Sequence, residues 1–241
     1  DLTNVRCFGE RNGSAQVMVT GGTGAYTYQW SHDQNQSDPF VNNLPAGDHS
    51  VRILDENNCE LTLNFTITEP ALLAIEEVIA TLVTCPGGSD GQLEALVTGG
   101  TTPYTFIWEE NRSTSSLATG YAKGTYSVKV IDANGCEATN SQNVEEAIPK
   151  VILPNAFTPN GDRLNDTFGP TTPCDIVFRM EIYNRWGEVI FSTNHASTQW
   201  DGTFQGTPVK SGKYTYAASW VIEANNLLIK KSQRSEIQLI R

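Results

Sequence analysis

The sequence predicts an all-β chain: two tandem small β-sandwich (Ig-like) repeats followed by a C-terminal antiparallel β-sandwich domain. Three observations predict it. Apolar residues alternate over short runs, glycine and proline punctuate those runs, and a block of about 78 residues occurs twice. With 20 Gly and 11 Pro in 241 residues and no long apolar run, short strands joined by tight turns are expected, with almost no helix.

The duplication is read by self-comparison. A shift of about 78 pairs Cys7 with Cys85, Gly13 with Gly91, Gly21-Gly22 with Gly99-Gly100, Tyr26 with Tyr104 and Trp30 with Trp108. One residue is then lost, and Gly47 pairs with Gly124, Val51 with Val128, Asp55 with Asp132 and Cys59 with Cys136. Within the first copy Ala15, Val17 and Val19 share a face, as do Tyr26, Tyr28 and Trp30, and Val51 and Ile53; Leu93, Ala95 and Val97 repeat this in the second. The stretch around Leu72–Val83 fits both periods. Leu72, Ile75, Ile79 and Leu82 have helical spacing, whereas Leu73, Ile75, Ile79, Thr81 and Val83 fit alternation, and the all-β context favours a strand. The expected division is residues 1–70 and 71–149 for the repeats and 150–241 for a third domain.

Charge divides the chain at the same place. The net charge is −11 overall, but residues 1–149 carry six Lys/Arg against nineteen Asp/Glu, while residues 150–241 carry ten against eight. An acidic surface repels phosphate, which excludes nucleic acid as a partner, and the acidic repeats are expected to stay soluble and apart. No stretch has the roughly 20 apolar residues that span a bilayer. The chain opens at Asp1 without a methionine or a leader, as expected of a mature product or an excised piece.

Each repeat holds one cysteine near its start and one near its end, so the disulfides expected are Cys7–Cys59 and Cys85–Cys136. Closing a loop of about 50 residues stabilises a small domain by up to about 4 kcal/mol. Such bridges imply an oxidising compartment. Zinc is disfavoured because no CxxC pair occurs and the three histidines, His32, His49 and His195, are scattered. Cys174 has no evident partner and reads as buried or incidental.

The order Cys, Gly-Gly, Tyr-x-[YF]-x-Trp, Asp-x-Asn-x-Cys over residues 4–147 resembles the SprB-type repeat of gliding-motility adhesins from the Bacteroidetes. Asn58 stands where the second copy has Gly135, a mild departure because asparagine tolerates the left-handed conformation. From Lys150 the elements change to Phe157-Thr-Pro-Asn-Gly161-Asp162, Tyr183-Asn-Arg-Trp-Gly187, Trp200-Asp201-Gly202, Ser211-Gly-Lys-Tyr214 and a terminal Ile237-Gln-Leu239-Ile-Arg241. These resemble the gliding motility-associated type B C-terminal sorting domain of the type IX secretion system, with Arg163 where that family often has glycine. The resemblance implies export by the type IX machinery, an outer-membrane partner of the PorP/SprF kind, and a passenger left on the cell surface.

Several sites stand in alternative. Asn160, Asp162, Asn165 and Asp166 offer four oxygen-bearing side chains around Gly161, which suit Ca2+ or an Asx-turn loop that bonds its own backbone. Arg185, Trp186 and Gly187 read as a docking tip or as a plain hairpin turn. Ile237, Leu239 and Arg241 read as a terminal edge strand that meets the partner or that closes its own sandwich. Tyr28, Trp30, Phe106 and Trp108 suit either sugar stacking, with surface polysaccharide as ligand, or a core role shared by both copies. No nucleophile-His-acid set, phosphate loop or HExxH helix occurs, so the chain is not expected to be an enzyme. Adhesin repeats, a carbohydrate-binding array and the non-catalytic tail of a secreted enzyme are the readings carried forward.

Overall fold

Alternation does produce strands throughout. The computed structural model describes residues 1–34 and 36–241. In the first repeat the strands are β1 (Leu2–Thr3), β2 (Gly13–Gln16), β3 (Thr27–Trp30), β4 (Phe40–Leu44), β5 (Gly47–Leu54) and β6 (Glu60–Ile67). The second repeat has β7 (Ala74–Thr81), β8 (Gly91–Thr98), β9 (Thr105–Trp108), β10 (Leu117–Tyr121), β11 (Gly124–Ile131) and β12 (Glu137–Val144), with a 3-10 turn at Glu109–Asn111. The third segment has β13 (Ala156–Phe157), β14 (Val177–Tyr183), β15 (Val189–His195), β16 (Thr203–Phe204), β17 (Thr207–Pro208), β18 (Gly212–Ala224) and β19 (Leu227–Leu239).

The chain divides into two compact units. One comprises Asp1–Ile79, Glu94–Ala118 and Tyr126–Gln142; the other comprises Ala80–Leu93, Thr119–Thr125 and Asn143–Arg241. The division passes through the second repeat.

In the first unit, sheet β1-β2-β4 faces sheet β3-β5-β6 over a core of Val5, Ala15, Trp30, Val41, Leu44, Val51, Ile53 and Ile67. The register explains the alternation: Trp30 lies opposite Val51 and Tyr28 opposite Ile53, so the aromatic strand shares its inner face with the Val-x-Ile strand. The second repeat reproduces this, with Trp108 opposite Val128 and Phe106 opposite Val130. Both indoles are about 1% exposed and satisfy their N–H groups on backbone carbonyls, Trp30 Nε1 on Asp38 and Trp108 Nε1 on Ser115.

The ambiguous stretch is strand β7, but on a different face from the alternation expected. Val78 is buried while Ile79 is exposed. Parity shifts between Ile75 and Val78, so Leu73, Val78 and Val83 are the inward residues. Leu72 and Leu82, which a helical face would have buried, are both more than half exposed.

The second unit holds a five-stranded sheet of order β13-β19-β18-β14-β15 and the small β16-β17 ribbon. All pairs in the large sheet are antiparallel except the two-residue pairing of β13 with β19. Its longest feature is the β18–β19 hairpin, two 13-residue strands joined at Asn225-Asn226, both at positive φ. Two successive left-handed residues form the turn whose twist matches a hairpin, and asparagine is among the few residues that adopt it readily. Loops carrying Phe168 and Trp200 cover this sheet and join Phe157 of β13 in one core with Phe178, Met180, Ile182, Tyr216, Ile237 and Leu239. A backbone bridge between Phe168 and Trp200 ties these loops together. The Trp200 ring lies 5.2 Å from that of Phe157 in a tilted contact and 5.3 Å from that of Tyr214, edge to face.

Because Trp200 fills the centre of this layer, Trp200→Ala is expected to destabilise the protein by about 3–5 kcal/mol. Denaturant unfolding followed by far-UV circular dichroism measures this; a loss below about 1 kcal/mol contradicts the packing.

Candidate functional site

One five-residue loop geometry occurs in each repeat and again in the third segment. It begins with a side-chain oxygen that gathers backbone N–H groups, and its fourth residue is left-handed. In the second repeat the loop joining β11 to β12 is Asp132-Ala-Asn-Gly-Cys136. Asp132 Oδ1 accepts the N–H groups of Asn134 at 2.9 Å and Cys136 at 2.8 Å, and Oδ2 accepts that of Thr101 at 2.8 Å. The first repeat repeats this set: Asp55 Oδ1 accepts Asn57 and Cys59, Oδ2 accepts Thr23, and Asn58 takes the left-handed position at φ 60°. In the third segment Asn184 Oδ1 accepts the N–H groups of Trp186 and Glu188 at 3.0 Å, with Gly187 left-handed.

These hydrogen bonds favour the carboxylate. Bonds from the backbone, chiefly that of Cys59, hold Asp55 below the ordinary aspartate value. For Asp132 burial pushes the other way, and the bonds from Thr101, Cys136, Asn134 and Gly135 outweigh it.

The cysteines do not pair as expected. Cys7 is bonded to Cys136 and Cys85 to Cys174, while Cys59 is free and exposed. The expected Cys7–Cys59 and Cys85–Cys136 bridges fail on geometry. The Cys7 loop is tied to the far end of β6, where Val5 N–H donates to Thr68 O and Gly9 N–H to the Glu69 carboxylate. Cys59 precedes the start of that eight-residue strand, about 25 Å away at 3.3 Å per residue. The second repeat has the same layout: Val83 N–H donates to Glu145 O and Gly87 N–H to the Glu146 carboxylate, so Cys85 lies at the end of β12 and Cys136 before its beginning. Each bridge therefore joins the opening loop of one module to a cysteine of the next.

The contacts around the two bridges match. Cys136 Sγ lies 3.6 Å from Arg6 O, and Cys174 Sγ lies 3.5 Å from Thr84 O, the counterpart carbonyl one repeat later. Asn134 Nδ2 donates to Arg6 O at 3.0 Å. Gly100 N–H donates to Ala71 O at 2.8 Å, and a Cβ on Gly99 would collide with Leu72 O, so the chain between the repeats passes directly over the Gly-Gly turn. Cys174, which looked incidental in the sequence, is one half of a bridge. Its signal was the odd count of five cysteines.

The remaining candidates separate cleanly. Trp186 is 81% exposed with the Arg185 guanidinium 5.3 Å from its ring centre, so Arg185, Trp186 and Gly187 form an exposed tip on a turn fixed by Asn184. Ile237 and Leu239 are instead fully buried in the core, and the sheet-edge role for their side chains is corrected accordingly. Arg241 donates to the carbonyls of Val209 and Gly202, both at 2.8 Å, and so closes its own domain. In the Asn160–Asp166 loop, Asp166 accepts the N–H groups of Asn160, Gly161 and Arg163; Asp162 Oδ1 accepts Leu164 N–H, Asn160 Oδ1 accepts Asp162 N–H, and Asn165 sits at φ 55°. These oxygens serve the loop's own backbone as Asx turns. Trp30 and Trp108 are core residues, Phe106 is buried and Tyr28 packs against the core, which removes the aromatic faces that sugar stacking requires.

Two family models match parts of the chain. Residues 151–237 match the CHU_C type IX secretion signal domain, and residues 1–35 and 79–112 match the SprB repeat. No curated protein matches the chain. Among solved structures it is similar to the C-terminal 282-residue fragment of intimin in complex with the Tir intimin-binding domain, at 15% identity and TM-score 0.34 over 62% of each chain. It is also similar to dimeric latent PorU from Porphyromonas gingivalis, at 14% identity and TM-score 0.23, over 80% of this chain and 24% of that one. A tetra-tandem repeat from the extending region of a large adhesion protein matches at 15% identity and TM-score 0.25, over 98% of this chain and 72% of that one. The chain thus spans less than two thirds of the intimin fragment and about a quarter of PorU.

The carboxylate-centred turns carry a pH dependence. Asp132 binds its proton less tightly folded than unfolded, so its stabilisation is complete above the ordinary value of 3.8 and is lost as pH falls through the lowered folded value. Thermal melts from about pH 6 to about pH 3 are expected to show falling stability in the wild type and a flatter curve from a lower start in Asp132→Asn. Parallel curves contradict the role given to this carboxylate.

Proposed function

We propose that this chain, which matches the SprB repeat at residues 1–35 and 79–112 and the type IX secretion signal domain at residues 151–237, is the C-terminal part of a secreted surface adhesin, retained at the outer membrane through the Arg185-Trp186-Gly187 tip. The repeats are the displayed passenger and the third segment is the address. The observation that carries the docking reading is Trp186: a large aromatic, 81% exposed, on a turn whose backbone is held by Asn184. Exposed Trp with an adjacent Arg is the composition of an interface anchor. The partner that fits is an outer-membrane protein of the PorP/SprF kind.

The chain acts by binding and display and not by catalysis. Its motif carboxylates Asp55, Asp132, Asp166 and Asp201 are each engaged with backbone N–H groups, which leaves them structural work. Surface polysaccharide remains a ligand class for the passenger, met by its exposed polar surface and not by the buried aromatic strands.

A fluorescent protein fused ahead of the full chain in a type IX-competent bacterium is expected to reach the cell surface, and deletion of residues 150–241 is expected to keep it inside. Trp186→Ala should still be exported but should show at least about tenfold less retention on cells, with the remainder in the medium. Equal retention of this variant overturns the docking role of the tip.

A further inference from the structure

The two repeats carry the same loop in two states. In the second repeat Thr101, Asp132, Asn134 and Cys136 hold the opening segment of the first: Cys136 is bonded to Cys7, and Asn134 Nδ2 donates to Arg6 O. Asp132 is buried there, and the Asn134 and Cys136 side chains are half-buried. In the first repeat the counterparts are Thr23, Asp55, Asn57 and Cys59, with the same backbone hydrogen bonds at Asp55. Here Asp55 is half-buried, and Asn57 and Cys59 are exposed. The Gly-Gly turn differs in the same sense. Gly99 lies under the backbone of Leu72, whereas a Cβ on its counterpart Gly21 would meet none of the described residues within 4 Å.

We propose that this loop of the first repeat is an acceptor site for the opening cysteine segment of another SprB-type repeat, joined in series ahead of Asp1 and bonded through Cys59. The occupant is specified by the copy already filled. It is a Cys-x-Gly turn whose preceding carbonyl takes a hydrogen bond from Asn57 and whose thiol reaches Cys59, as Arg6-Cys7 does at Asn134 and Cys136. The connecting chain of that repeat lies over Gly21-Gly22 as Ala71-Leu72 lies over Gly99-Gly100. The bond forms by thiol–disulfide exchange with a disulfide oxidant such as glutathione disulfide. The two cysteines give up two protons and two electrons to become one disulfide, and the oxidant is reduced to two thiols. The site does not depend on the outer-membrane docking proposed above.

To test it, a copy of residues 1–78 carrying Cys59→Ser is joined ahead of Asp1 of the full chain, and the product is oxidised in a glutathione buffer. Non-reducing proteolysis with mass spectrometry is expected to find Cys7 of the added copy bonded to Cys59 of the chain. A Cys59 that stays open to alkylation, or that carries only glutathione, overturns the proposal. Asn57→Ala in the same fusion, an exposed change that leaves the core intact, is expected to lower the bonded fraction about five-fold through loss of one hydrogen bond. An unchanged fraction means that tethering alone brings the thiols together, and it overturns the docking.

Discussion

A side-chain oxygen that collects backbone N–H groups at the mouth of a five-residue hairpin loop is the interaction on which the rest depends. At Asp132 it fixes Cys136 where the Cys7 segment can reach it, and at Asn184 it fixes the backbone under Trp186. The loop requires a left-handed residue, supplied by Gly135 and Gly187, or by Asn58 in the first repeat. Without it β11 and β12 would still pair, but the closing cysteine would have no fixed direction. The bridge to Cys7 would then have to hold a mobile thiol, with a correspondingly larger loss of entropy.

Motif residues divide into those that build the scaffold and those that the scaffold presents. Trp30, Trp108, Phe157, Trp200, Tyr216, Ile237 and Leu239 are all buried. They are large and apolar because two thin layers must bury enough apolar area per residue to hold a small domain together. Trp186 is the exception among the tryptophans, and the proposed docking role rests on its exposure. Arg241 belongs with the scaffold: its guanidinium ties the chain end to the Gly202 turn and to Val209.

The strands and the repeat were legible because period-two alternation and a fixed shift are local, additive signals. Trp30 and Trp108 fell on inward faces, as a position common to both copies should. The face of β7 was not legible, since parity shifts between Ile75 and Val78 and both residues are aliphatic. The disulfide partners were hidden for a different reason. Spacing within a repeat suggested Cys7 with Cys59, but the two lie at opposite ends of β6, and the true partner is 129 residues away. Only three-dimensional knowledge of which end of a strand carries each loop separates these choices. The tip at Trp186 was visible as a candidate, but its exposure was not, because a tryptophan in a hairpin reads equally well as core.

Disulfides join successive modules and not the two ends of one repeat. Peptide mapping of the oxidised chain under non-reducing conditions, with free thiols alkylated first, decides between the two pairings. Cys7–Cys136 and Cys85–Cys174 peptides are expected, with the alkyl label on Cys59. Cys7–Cys59 and Cys85–Cys136 peptides with the label on Cys174 would contradict it.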